Sequence, residues 1–276
     1  MRNDHKFKQS IAYWCLADTE WEWDAERICT TAKELGCESV ELAPPATYPI
    51  LQKHGLKCAL CFNGMPGAPF ARGLNNLAYH EEVIARTKES IDLAAEYAFP
   101  NVIAFTGYKW RDANDPASGE ISRSECLENC VKGLSELTAY ADEKGVTLCL
   151  EHLNSRDGSH PMKGHPGYQG DDIDLCAEIV RTVNSPSVRL LFDVYHVQVM
   201  HGDIIRRLRA HRDVIGHIHT AGCPGRNEFD DRQEIHYAGV VAAIREIGYG
   251  GYIGHEFIPT GDPVQGFGAA VRAFGG

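Results

Sequence analysis

Eight short apolar runs punctuate this chain, and each is followed by a helix-length segment or a gap long enough for one. The runs are "SIAYWCL" (10–16), "ESVELA" (38–43), "KCALCF" (57–62), "NVIAFT" (101–106), "VTLCLE" (146–151), "VRLLFDV" (188–194), "VIGHIHT" (214–220) and "GYIGHEF" (251–257). Between them lie segments of helical period such as "DAERICTTAKELG", "HEEVIARTKESIDLAAEYA" and "DDIDLCAEIVRTVN". In "ECLENCVKGLSELTAYADEKG", Leu127, Val131, Leu134, Leu137 and Ala141 recur at three- and four-residue steps, which marks one buried stripe. Strands that each return through a helix must pair in parallel. Over 276 residues this predicts an α/β fold, a single (β/α)8 TIM barrel spanning 1–276. The rival is a doubly wound sheet, which carries a glycine-rich phosphate turn after its first strand; "AYWCLADTEWEW" has none.

Loop lengths are asymmetric. Helix-to-strand connections are short ("GCES", "HGLK", "KGVT", "NSPS", "GYGG"), whereas three strand-to-helix connections are long and polar: 107–122, 152–170 and 221–234. A barrel builds its active site from the loops that follow its strands. The site is therefore expected at the C-terminal strand ends.

Composition removes several classes. A formal net charge of −11 argues against nucleic acid or an anionic membrane as partner, because phosphate binding draws on a cationic footprint. No apolar run has the length of a membrane span, and the N-terminal stretch turns acidic too early for a signal peptide. Of the ten cysteines, Cys58 and Cys61 form a CxxC inside an apolar run, Cys126 and Cys130 are one helical turn apart, and the other six are scattered. All ten read as small core hydrophobes of a reducing compartment, and the protein as cytoplasmic.

The ends of the last four strands hold the chemistry. Strand five ends at Glu151, strand six at Asp193, strand seven at His219 and strand eight at Glu256. Taken singly, each has a plain alternative: Glu151 and Asp193 could cap the following turns, His219 could be a core histidine, and Glu256 could pair with an arginine. Together, three carboxylates and an imidazole at equivalent places point to a divalent cation, since unpaired carboxylates brought together repel. Mixed oxygen and nitrogen donors suit Mn²⁺ or Mg²⁺, and they also admit Co²⁺ or Zn²⁺. His217 shares the face of His219 one layer deeper and reads as a core histidine or as one orienting a ligand.

The motifs "EHLN", "FDVYH", "GHIHTAGCPGRNE" and "GYIGHEFIP" resemble the xylose-isomerase-like TIM-barrel superfamily. Within it they are most like the hydroxypyruvate isomerase family, with the ketose 3-epimerases close by. The resemblance implies that Glu151, Asp193, His219 and Glu256 hold the metal and that Glu151 and Glu256 form the catalytic acid–base pair. It also implies that His196 and Arg226 contact substrate oxygens. Glu228 and Glu234 match glutamates of the strand-seven loop; for these, Asn154 and Glu41, solvated or structural roles stand equally open. Two positions depart from the hydroxypyruvate isomerase pattern: His219 stands where those enzymes have Gln, as in the epimerases, and Ile258 replaces a lysine.

The expected activity is proton transfer through an enediolate, which interconverts aldehyde and ketone forms of a small hydroxycarbonyl or ketose substrate. Return of the proton to the original carbon from the opposite side would make the same site a 3-epimerase. A metal-dependent hydrolase of the apurinic endonuclease type and a non-catalytic sugar-binding barrel are the remaining readings, with self-association into homo-oligomers left open.

Overall fold

The computed structural model describes residues 6–275. Nine strands appear in chain order: β1 (Lys8–Ala12), β2 (Ser39–Glu41), β3 (Asn101–Ala104), β4 (Trp110–Asp112), β5 (Asp115–Glu120), β6 (Thr147–Glu151), β7 (Val188–Asp193), β8 (Ile215–Thr220) and β9 (Tyr252–His255). Helices separate them on an α/β plan, and the chain forms two compact units.

One unit comprises Met1–Ala59, Asp203–Arg212 and His217–Gly276. Its strands pair in parallel in the order β2-β1-β9-β8, with Ser10 beside Ser39, Gln9 beside Ile253 and His219 beside Gly254. The second comprises Leu60–Gly202 and Asp213–Gly216, with parallel order β3-β6-β7 and Glu151 beside Leu191. Ile11, Val40, Ile218 and Ile253 are fully buried in the first, and Val102, Leu148, Leu150 and Leu190 in the second. Both-face burial explains why these strands read as apolar runs without alternation.

Helix signals in the sequence are realised at atomic level. Ser122 and Glu125 form a capping box ahead of Arg123–Lys144, and that helix ends on Gly145 in the left-handed region (φ 66°). Asp24 caps Ala25–Glu34 by accepting from the Arg27 N–H at 2.8 Å.

Three local expectations are corrected. Residues 57–62 are not a continuous strand: they make isolated bridges, Lys57 to Ser39 and Cys61 to Val102. At Ala59 the N–H donates to the Ser39 hydroxyl (2.8 Å) instead of a backbone carbonyl, so a side chain interrupts the ladder. The first strand stops at Ala12, and Trp14–Ala17 is a helical turn, which swings Trp14 out of the strand pattern. The polar stretch after β3 contains a two-stranded antiparallel ribbon, β4–β5, largely solvent-exposed. All ten cysteines are free and buried, in keeping with their reading as core residues. No helix among the described residues is long and apolar enough to cross a membrane.

Gly254 in β9 shows how closely the first unit is packed around its polar groups. A Cβ there would fall against a carboxylate oxygen of Glu41 and 2.8 Å from His219 Cδ2. Gly254→Ala is therefore expected to cost about 1–3 kcal/mol, the usual range for overpacking. Gly250→Ala, with nothing within 4 Å of its added carbon, should stay within about 0.5 kcal/mol of wild type. Urea unfolding of the two variants checks this; equal midpoints would contradict the packing.

Candidate active site

In the second unit, β6 and β7 lie side by side and end in the carboxylates Glu151 and Asp193, both buried. Asp193 does two things at once. It closes β7 and caps the helix Val194–Met200, its Oδ1 accepting from the N–H groups of Tyr195 (2.7 Å) and His196 (3.1 Å). The cap occupies Oδ1, and Oδ2 lies 3.6 Å from Nε2 of His196, which is itself fully buried. A helix that starts immediately after the strand thus carries His196 back over the strand end. Around it, His165 packs on Phe70 (ring centroids 4.0 Å apart) and stands 6.0 Å from His196. The hydroxyl of Tyr168 donates to the Glu151 carbonyl at 2.8 Å, fixing the backbone where that carboxylate emerges.

In the first unit, Glu256 follows β9 and is also buried. Trp14 Nε1–H donates to its Oε1 (2.7 Å), and Arg226 donates to its Oε2. His219 Nδ1 lies 2.9 Å from the same Oε2. Burial alone would raise the Glu256 carboxyl, but Arg226, His219 and Trp14 outweigh it and hold the group well below the usual carboxylate range. Arg226 reaches this position from a left-handed backbone (φ 55°), with its carbonyl accepting from the Ile258 N–H at 2.7 Å and its guanidinium 5.5 Å from the Trp14 ring.

Behind His219 stands Glu41, the last residue of β2. Its Oε1 is 2.8 Å from His219 Nε2 and 3.2 Å from His217 Nε2, and all three side chains are inaccessible. Burial opposes the Glu41 charge, yet the two imidazoles hold the carboxyl far below its ordinary value. With Nε2 directed at Glu41, His219 turns Nδ1 toward Glu256. A carboxylate that orients a histidine in this way is the usual support of an imidazole ligand. His217 therefore sits beside Glu41, one layer beneath His219. His255 is a separate core histidine, bonded to Thr220 Oγ1 (2.8 Å) and Gln9 Oε1 (2.9 Å), with burial pushing it down to about 3.

The remaining candidates have structural partners. Glu228 accepts from the N–H groups of Thr260 (2.9 Å) and Gly261 (2.9 Å), tying down the segment after β9. Glu234 closes its own loop: its N–H donates to the Cys223 carbonyl at 2.6 Å. Trp14 escaped the sequence reading because "SIAYWCL" looked like strand to its end. Glu41 was visible only as one more strand-terminal acid.

Glu256 is a buried charge matched chiefly by Arg226, so Arg226→Met should cost about 3–5 kcal/mol, the range for breaking a buried pair. Adding Glu256→Gln to that variant should recover part of the loss, because the uncompensated charge is then gone. Denaturant unfolding of the single and double variants checks this, and a double variant no more stable than Arg226→Met would refute it.

The xylose isomerase-like TIM barrel family matches residues 29–274 of this chain. A 2-oxo-tetronate isomerase of Cupriavidus necator is 32% identical over 220 residues, covering 79% of this chain and 78% of that protein. Among solved structures, an AP endonuclease, family 2, from Brucella melitensis superposes with a TM-score of 0.76 at 25% identity, covering 95% of this chain and 97% of the other. A D-psicose 3-epimerase from Clostridium cellulolyticum H10 gives 0.71 at 19% identity, covering 97% and 90%. A match this extensive, on a parallel α/β framework with acids at its strand ends, establishes that the chain belongs to the xylose isomerase-like TIM-barrel family.

Proposed function

We propose that this protein is a metal-dependent isomerase that interconverts the aldehyde and ketone forms of a small hydroxycarbonyl substrate, with Glu151, Asp193, His219 and Glu256 holding one divalent cation, Mn²⁺ or Mg²⁺. The carrying observation is that buried acids end β6 and β7 in one unit, and that a buried acid and an imidazole stand together at the ends of β8 and β9 in the other. Nothing in an apolar core calls for such a set, and its donors are those of a divalent-ion site. The residues fit the ion in detail as well. Asp193 Oδ1 serves the helix cap and His219 Nε2 lies 2.8 Å from Glu41, so Oδ2 and Nδ1 would be the atoms turned to the ion, Nδ1 beside Glu256 Oε2 at 2.9 Å. The similarity to a protein named 2-oxo-tetronate isomerase supports the reaction class.

When bound, the cation would polarise a substrate carbonyl and make the neighbouring C–H more acidic. The chain supplies the rest. Glu256 is held in its ionised form by Arg226, His219 and Trp14. One glutamate takes the proton from the hydroxyl-bearing carbon next to the carbonyl and leaves an enediolate. His196 and Arg226 hold the substrate oxygens while the charge develops. Return of the proton to the former carbonyl carbon, with the hydroxyl proton passing to the former carbonyl oxygen, completes the isomerisation. Return by the opposite glutamate to the carbon that lost the proton inverts that carbon, and His219, the residue type of the ketose 3-epimerases at this position, favours that reaction as the second reading. Ile258 in place of a lysine removes a cation that a substrate carboxylate would meet. Ten free, buried cysteines support a cytoplasmic setting.

The test separates ligands from acid–base groups. Glutamine keeps a coordinating oxygen but cannot accept a proton near neutral pH. Glu151→Gln and Glu256→Gln, saturated with Mn²⁺, are therefore expected to lose about 10²–10⁴-fold in turnover, whereas Asp193→Asn should regain much of its activity as metal is added. A panel of small hydroxycarbonyl acids, aldoses and ketoses, followed by NMR in deuterated solvent, distinguishes isomerisation from epimerisation. Full activity in either glutamine variant, or turnover that survives exhaustive chelation, would overturn the scheme.

A further inference from the structure

His196 carries a constraint that its motif does not reveal. Its Nδ1 receives two N–H groups from one residue: the backbone N–H of Asn154 at 3.0 Å and the side-chain amide nitrogen of Asn154 at 2.7 Å. A ring nitrogen approached by two donors has to be the acceptor, and in a neutral imidazole the proton then sits on the other nitrogen.

The orientation of the Asn154 amide is settled by its other partners, not by the histidine. Its Oδ1 accepts from the Asp157 backbone N–H (3.0 Å), and its Nδ2 donates to the Lys163 carbonyl (2.8 Å). Turning the amide over would set the NH₂ against an N–H and the oxygen against a carbonyl. The backbone donor cannot be turned over at all. Asn154 is fully buried, its own carbonyl accepts from the His165 N–H (2.8 Å), and Gly164 passes so close that a Cβ there would strike the amide oxygen. The loop after β6 is wound around this one side chain. Five hydrogen bonds, two of them to a single ring nitrogen, are more than closing a loop requires.

We propose that Asn154 is a positioning residue that fixes His196 in the tautomer with Nδ1 as acceptor and Nε2–H as donor, so that the ring meets a substrate oxygen only as a hydrogen-bond donor. The Nε2 edge faces the Asp193 side of the site, where Oδ2 of that carboxylate lies 3.6 Å away, so an N–H there points toward the proposed ion ligands. A donor in that place matches a carbonyl oxygen, or the oxyanion it becomes when the neighbouring proton leaves. It does not match a hydroxyl that must itself donate. In the isomerase reading, on which this part of the inference rests, His196 addresses the oxygen on which negative charge develops.

The tautomer can be observed without turnover. Uniformly ¹⁵N-histidine-labelled protein, with the His196 signals assigned by their loss in His196→Gln, should show Nδ1 of His196 in the unprotonated range and Nε2 in the protonated range at neutral pH. A protonated Nδ1 in the wild-type protein would overturn the proposal whatever the variants do. Asn154→Asp is the informative substitution, because it replaces the amide donor facing Nδ1 by an acceptor in nearly the same shape. It should shift His196 toward the Nδ1–H form and lower kcat on the order of 10²–10³-fold, the usual cost of losing one preorganised donor. An Asn154→Asp protein that keeps its fold by circular dichroism, keeps the wild-type ¹⁵N pattern and yet loses activity would refute a positioning role. A correct tautomer with no turnover on any hydroxycarbonyl substrate would instead sink the isomerase reading and leave the tautomer assignment standing.

Discussion

The interior of this protein is organised by the compensation of buried negative charge. Glu41 and Glu256 are carboxylates removed from water, and the transfer of either into an apolar core would be prohibitive alone. Each is met by donors from distant parts of the chain: Glu41 by His217 and His219, Glu256 by Trp14, Arg226 and His219. His219 lies between the two acids, with Nε2 2.8 Å from Glu41 and Nδ1 2.9 Å from Glu256. The local structure follows from this need. β9 carries a glycine where a side chain would displace Glu41, the chain after β1 turns into a helix that delivers an indole N–H, and Arg226 adopts a backbone conformation few residues tolerate. A core designed for stability alone would have replaced such a network with hydrocarbon.

The framework was legible because parallel strands covered on both faces must be apolar, and because their helices carry caps with local signatures. Seven of the eight expected strands are present, within a few residues of the expected limits. The exception, at 57–62, fails for a reason no apolarity pattern contains: the hydroxyl of Ser39 takes the hydrogen bond that a strand neighbour would have given. The ribbon at 110–120 was equally hidden. It is short, exposed and polar, and is held by the Ser118 hydroxyl against Asp112 and Asp115 more than by any apolar face.

The site was legible in part, and along the same line. Glu151, Asp193, His219 and Glu256 could be found because strand ends are countable in sequence, and the structure puts each at or beside the end of its strand. What surrounds them could not be counted. Trp14 meets Glu256 across 242 positions of sequence and Glu41 meets His217 across 176, and no local period encodes such pairs. Asn154 illustrates the limit from the other side. Its place in "EHLN" is conspicuous, yet only the loop closed around it shows that both its N–H groups aim at one imidazole nitrogen.

Asp193, set down at the end of "RLLFD", posed a choice between a helix cap and a ligand. The cap is made, through one oxygen. A carboxylate has two oxygens, and a helix beginning directly after a strand consumes only one of them. The cap fixes the side chain so that the second oxygen is held at a set place beside His196, with no rotamer freedom left to lose when something binds there. A comparable anchoring recurs at His219, whose nitrogens face Glu41 and Glu256, and at His196, where Nδ1 accepts from Asn154. In all three residues, one polar atom anchors the side chain to the fold and so fixes the direction of its twin. That pattern leaves these strand-end side chains little rotamer freedom to lose.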